Sequence, residues 1–221
     1  MFSEAIKNIH AGQTVYIIGK GPSLNFLTKD MIADGPVITL NHTISKVESL
    51  NLPNLIYSLQ KDKYEVPVKP TTTLILHKHE SAALLENDKP EYYEFDATEF
   101  KLPIDTFSAI IAIEMAKIMG CVKFVFISFD SVNGDVETFD PKLPSYPTAY
   151  IRQAERMRAY VTGLDCDWIT PKESTIVLIT PTGGRAKQIA LCSKWMKRQT
   201  YKGKVLWIIV DDCFPLTANI I

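Results

Sequence analysis

The sequence predicts an α/β fold, a mostly parallel sheet with flanking helices, followed by a smaller β-α-β unit. Three observations carry this. Runs such as Val15-Tyr-Ile-Ile18, Val37-Ile-Thr-Leu40 and Phe124-Val-Phe-Ile127 are continuously apolar rather than alternating, as in strands covered on both faces. Segments with helical character separate several of them, which is the pattern of crossover connections. Several of these runs also end on glycine or polar residues, and the carboxyl edge of an open parallel sheet is where ligands bind.

Taken in order, residues 3–12 read as a short opening helix, with Ser3 at its start, Ala5, Ile6 and Ile9 on one side and Gly12 as the stop. The strand at 14–18 breaks into Gly19-Lys20-Gly21-Pro22-Ser23-Leu24. Gly19 and Gly21 allow a sharp turn and a close backbone approach, Pro22 stiffens the exit, and Ser23 can cap a following helix. The free N–H groups of such a start favour a phosphate, so Gly19 to Ser23 are candidate nucleotide contacts. A short helix around 26–32 and a turn at Asp34-Gly35-Pro36 lead to the strand at 37–40, which ends at Asn41-His42-Thr43. Asn41 is a candidate ligand contact there and His42 a candidate base.

Strands follow at 55–59 and 73–77, with loop at 64–70, a helical stretch at 80–85 and an irregular excursion over 87–103. His77 and His79, two apart, would share a face of a strand, which a metal could use, but no metal site is expected there. Residues 106–120 are the strongest helix, apolar nearly all round and stopped by Gly120. The strand at 123–128 runs to Asp130, and the polar loop 131–146 holds Glu137. A helix at 150–163 and a strand at 166–169 close the first domain, a Rossmann-like unit over residues 1–172. The chain then restarts at 173–221: strand 175–180, loop 181–185, helix 186–199, and strand 205–210 ending at Asp211-Asp212.

The 221 residues are 46% hydrophobic and carry a net charge of −1, which excludes a strongly basic nucleic-acid or membrane-surface binder. Four widely spaced cysteines form no C-x-x-C pair, so neither zinc nor a disulfide framework is expected. No apolar run approaches the ~20 residues of a membrane span, and the opening residues do not read as a signal peptide. A cytoplasmic location without an integral membrane segment is the expectation.

The ordered set Gly19-Lys-Gly-Pro-Ser-Leu24, Asn41, Ser108, Asp130, Asn133-Gly134 and Phe139-Asp140 resembles the bacterial sialyltransferases that use CMP-sialic acid. It is similar also to the related motility accessory proteins implicated in flagellin glycosylation. The resemblance covers roughly residues 14–172. It implies that the glycine loop and Asn41 hold a nucleotide without a metal and that Ser108 faces the donor. Lys20 stands where the sialyltransferases place asparagine, and Ser58 replaces another nucleotide-contacting asparagine. The sialyltransferases use a histidine base shortly before the helix that corresponds to 150–163, where this chain has none, its histidines being His10, His42, His77 and His79. Val132 and Glu137 lie near the positions of the family's tyrosines. Residues 174–221 resemble the opening of a family 2, GT-A type glycosyltransferase, which implies that Asp211 and Asp212 contact the nucleotide.

Together these readings predict a nucleotide-sugar-dependent glycosyltransferase, or its donor-binding part, with no bound cofactor and with activity independent of divalent metal. Asp130, His42 and Glu137 are the candidate bases, and Lys20 the point charge for a leaving phosphate. The expected partners are a nucleotide-sugar donor, a glycan or protein acceptor, and a partner transferase domain or a second copy of the chain. The alternatives are a binding module without chemistry and a phosphotransferase, since motility-accessory-like domains also resemble an archaeal pterin diphosphokinase. Two strands and one helix cannot cover both faces of a sheet, so the C-terminal unit is expected either to pack on the first domain or, as the favoured alternative, to expose Ile176, Leu178, Trp207 and Ile209.

Overall fold

A computed structural model describes residues 2–63, 66–82, 91–103, 106–173, 175–181, 192–194 and 204–210. The chain forms two compact units, Met1–Pro171 and Lys172–Ile221.

In the first unit seven strands form one sheet: β1 (Thr14–Ile18), β2 (Val37–Leu40), β3 (Ile56–Gln60), β4 (Thr72–His77), β5 (Tyr93–Phe95), β6 (Lys123–Ile127) and β7 (Cys166–Ile169). Their order is β5-β4-β3-β2-β1-β6-β7, and every adjacent pair is parallel. The chain thus steps outward from β1 to β5, then returns to place β6 on the other side of β1. That reversal makes the carboxyl ends of β1 and β6 the topological switch point, where such sheets open a crevice.

Both faces of the sheet are apolar, which is why these strands read as continuous runs. Val15, Ile17, Phe124 and Phe126 turn to one side, into a core with Phe2 of α1 (Phe2–Ala5), Ile111 and Met115 of α3 and Met157 of α4. Tyr16, Ile18, Val125 and Ile127 turn to the other, against Ile44 and Val47 of α2 and against Leu24 and Leu27. Helix α2 spans Thr43–Ser49, α3 Ser108–Ile118 and α4 Pro147–Tyr160. As its composition requires, α3 is buried almost all round, and each of its fully buried isoleucines contributes about 1.5–3 kcal/mol.

Several elements differ from the sequence reading. The opening helix is only α1, and residues 6–12 continue as turns. The helix expected at 26–32 is replaced by two 3-10 turns, Pro22–Phe26 and Lys29–Met31, because the chain leaves helical geometry at Leu27 and Thr28. The polar end of the second strand is the start of α2, and the irregular excursion contains edge strand β5 and a 3-10 turn, Ala97–Phe100. Residues 80–82 form a turn, and the rest of the predicted 80–85 helix lies outside the described residues.

In the second unit β8 (Thr175–Pro181) and β9 (Lys204–Val210) pair in parallel, and residues 192–194 are helical. The 182–185 loop and Asp211 and Asp212 lie outside the described residues. The exposed apolar side chains are Ile179, Leu206, Ile208 and Val210, whereas Leu178, Trp207 and Ile209 are half-buried. Alternate side chains point to opposite faces, so the open face is the reverse of the predicted one. Ile176 has no described side-chain environment. Among the described residues no helix is long and apolar enough to cross a membrane.

Candidate functional site at the sheet switch point

A cavity of about 290 Å³ opens at the switch point. Its wall takes Gly19, Lys20 and Gly21 from the loop after β1, Asn41 from the end of β2, and Lys61 and Asp62 from the end of β3. Ser108 enters from the first turn of α3, Asp130 and Glu137 from the segment after β6, and Tyr146 and Tyr150 from the start of α4.

The backbone bends sharply where strands meet this cavity. Asn41 and Ser128 hold left-handed φ values of 51° and 60°, a conformation that costs most side chains energy and that asparagine tolerates best. The glycines after β1 have another reason to be glycine. Gly21 has a φ of −66°, which any residue can adopt. A Cβ built on it would lie 2.6 Å from Cγ and 2.7 Å from Cβ of Asp130, and one on Gly19 would lie 2.7 Å from the carbonyl oxygen of Ser128. The missing side chains let the loops after β1 and β6 touch each other. Gly21 is buried rather than exposed at a strand end.

Asp130 is the centre of that contact. It is 3% exposed, and its Oδ2 accepts a hydrogen bond from the backbone N–H of Ser23 at 2.8 Å. Its Oδ1 is buried without a hydrogen-bond partner, as are the hydroxyls of Ser23 and Ser128. Asp130 and Ser128 both line the cavity, and unpartnered buried polar atoms there are unusual in a folded chain and mark a place where a polar group is still to be received. Three further amides of the loop are spent internally. Those of Gly19, Gly21 and Leu24 donate to the carbonyls of Ile127, Ser128 and Gly21 at 2.8, 2.9 and 3.0 Å, and Pro22 has none.

Two lysines reach the cavity. Lys61 is neutralised, its ammonium lying 2.9 Å from both carboxylate oxygens of Glu80 and 3.5 Å from Asp62. Lys20 instead rests on the face of Tyr150, with Nζ 4.9 Å from the ring centroid, and among the described residues no carboxylate pairs with it. Exposed Glu137 and Asp135 line the same wall.

Of the residues proposed from sequence, the structure brings Gly19, Lys20, Gly21, Asn41, Ser108, Asp130 and Glu137 to one cavity. Pro22 and Ser23 lie behind its wall in the 3-10 turn. His42 is half-buried at the cap of α2, outside the lining. Ser58 is fully buried within β3 and accepts a hydrogen bond from Gln60 at 3.2 Å, so it does not reach the cavity. Lys61, Asp62, Tyr146 and Tyr150 were not singled out as ligand contacts. Lys61 and Asp62 directly follow β3, and the strand-end rule that selected Asn41 would have selected them too.

Among the described residues no group of three histidines, cysteines or acidic residues is placed to hold a metal ion. The His77 and His79 rings are 6.1 Å apart, edge to face. No protein-family model matches the chain, and neither a curated protein nor a solved structure does.

Proposed function

We propose that this cavity binds a nucleotide sugar and that the first unit is the donor-binding part of a glycosyltransferase. The observation that carries the reading is the composition of one wall at the switch point: a glycine turn, a buried carboxylate with an unpartnered oxygen, an uncommitted lysine and two tyrosines. Aromatic faces suit a base, carboxylates and hydroxyls suit the hydroxyls of ribose or sugar, and the lysine suits a phosphate.

In a transfer, the bond from the anomeric carbon to the phosphate oxygen breaks, and that oxygen keeps the electron pair. The acceptor hydroxyl oxygen forms the new bond and gives its proton to a carboxylate. Glu137 is the better base of the two candidates in the wall, because it is exposed to an incoming acceptor whereas Asp130 is buried against Ser23. A binding module without transfer is the second reading, favoured by the position of His42 outside the lining. The second unit fits the same scheme as the opening β-α-β of a GT-A type domain, with Asp211 and Asp212 as its nucleotide contacts.

The experiment is a melting-temperature screen of the whole chain with nucleotide sugars, followed by assay of released nucleotide. A ligand at 100 times its dissociation constant adds about 2.7 kcal/mol, or roughly 5–10 °C for a chain of this size. Release that disappears in Glu137→Gln supports transfer, and a shift without release supports the module. If no nucleotide sugar moves the melting temperature, the proposal fails.

A further inference from the structure

The geometry points to Asp130 as a built-in anion that fills the phosphate position of the glycine loop, so that the ligand's phosphate is taken by Lys20 at the face of Tyr150. A glycine turn opening into a helical segment ordinarily presents free N–H groups to an anion. Here that place is taken. The carboxylate of Asp130 accepts from the N–H of Ser23 at 2.8 Å, and the N–H groups of Gly19, Gly21 and Leu24 donate to carbonyls of the chain. Gly21 lacks a side chain where Asp130 stands, with its Cγ only 2.6 Å from the position a Cβ would occupy. The glycine therefore makes room for an internal carboxylate rather than for a ligand.

A phosphate approaching this loop would meet the negative charge of Asp130 with few free donors to offset it. It needs a cation elsewhere in the wall. Lys61 is committed to Glu80 through both carboxylate oxygens, whereas Lys20 is held only over the ring of Tyr150, 4.9 Å from its centroid. A cation on an aromatic face keeps its charge and its three donors, and it can turn to an anion without first breaking an ion pair. Asp130 is thus a positioning residue for the loop, Lys20 is the contact that recognises the phosphate, and Tyr150 holds Lys20 ready. The Lys20 part rests on the nucleotide-sugar reading, whereas the Asp130 part stands without it.

The test uses the whole chain in two arms. In the first, Asp130→Asn and Asp130→Ala are compared by thermal melting, with and without added formate. The asparagine variant keeps an acceptor for Ser23 but not the charge, and should melt between the alanine variant and the parent. The alanine variant should melt lower and be raised by formate, whose carboxylate can enter the vacated place, while the parent does not respond. Equal melting of the alanine variant and the parent, or a lower melting point that formate does not raise, overturns the built-in anion. Should the alanine variant fail to fold, Asp130→Asn decides: melting below the parent supports the built-in anion, and melting equal to the parent overturns it.

In the second arm, nucleoside mono- and diphosphates are titrated calorimetrically into the parent and Lys20→Gln at low and high salt. Losing a hydrogen-bonded charge contact should weaken binding by about tenfold or more and flatten its salt dependence. Binding of Lys20→Gln within about twofold of the parent, an energy difference well under that of one such contact, overturns the assignment of Lys20. If the parent binds no nucleotide, the nucleotide-sugar reading and the Lys20 assignment fall together, and the formate arm still decides the role of Asp130.

Discussion

The ends of β1 and β6 and the ends of β3 and β4 lie along one edge of one sheet, yet they bury charge in opposite ways. At β1 and β6 the buried ion is an anion, Asp130, held by a backbone N–H and accommodated by a glycine. At β3 and β4 it is a cation, Lys61, whose 8% exposed side chain is paired with Glu80, beside a fully buried histidine, His77. The first arrangement depends on space and backbone donors, and the second on side-chain charge. Each should therefore fail to a different insult.

Steric insult at the first region has the largest expected effect. In Gly21→Val the new side chain must displace Asp130, adding overpacking to the cost of an unsatisfied N–H on Ser23. These terms sum to about 4 kcal/mol, lost from the fold itself and not only from ligand affinity. Urea unfolding of Gly21→Val against the parent measures it. A variant as stable as the parent would mean that the two loops are not packed as described.

The second region should answer to pH. Burial holds the His77 imidazole below its ordinary value of 6.5, against the opposing pull of Glu80 and Asp96, while Lys61 and His79 add to the depression. Both ring nitrogens are without a hydrogen-bond partner, and Nδ1 lies 4.0 Å from Glu80. A histidine whose folded pKa is lowered leaves the unfolded chain holding more protons between the two values. Stability is then fully present above about pH 6.5 and falls as the pH drops towards the folded value, by at most about 1.4 kcal/mol per pH unit for this one group. His10, also lowered by burial and paired with Tyr57 at 2.7 Å, adds a slope of the same sign. His77→Leu should flatten the decline between pH 7 and 5 without removing the His10 part. An unchanged slope would show that His77 does not titrate in this range.

These contrasts also explain which parts of the molecule were legible in the sequence. Strands covered on both faces announce themselves as largely apolar runs, so β1 to β4 and β6 were readable within a residue or two. Edge strand β5 turns only Phe95 into the core, with exposed Tyr93 and Glu94 beside it, and it reads as loop. Helix α2 starts in the polar Asn41-His42-Thr43 stretch because Thr43 Oγ1 accepts from the N–H of Leu40 at 3.0 Å and donates to the Ile18 carbonyl at 3.4 Å. That long-range bond has no local signature. In the site, strand-end residues were visible from order alone. The occupation of the loop by Asp130 was not, because it joins residues 107 positions apart and depends on a side chain that is absent. Ser58 was selected by resemblance, against its place inside a buried strand.

The smallest expected effect lies where the two regions meet, at Asn41. Its backbone is left-handed at φ 51°, it lines the cavity, and its Oδ1 accepts from the N–H of Lys61 at 3.2 Å, linking the end of β2 to the end of β3. Asn41→Ala loses that bond and forces an alanine into a conformation costing about 1–2 kcal/mol. Asn41→Gly loses the same bond but adopts the conformation freely, at an entropic cost of about 0.5–1 kcal/mol. The glycine variant should thus unfold as the more stable of the two, by roughly 1 kcal/mol or less. Ligand affinity separates the remaining roles. If the Asn41 amide touches the ligand, both variants lose affinity equally, by about 1–3 kcal/mol, the cost of an unmet partner in a closed site. If Asn41 acts only by shaping the turn, Asn41→Gly binds like the parent and Asn41→Ala does not. Equal stability of the two variants would put the strain of the left-handed turn no higher than the entropic cost of glycine, about 0.5–1 kcal/mol.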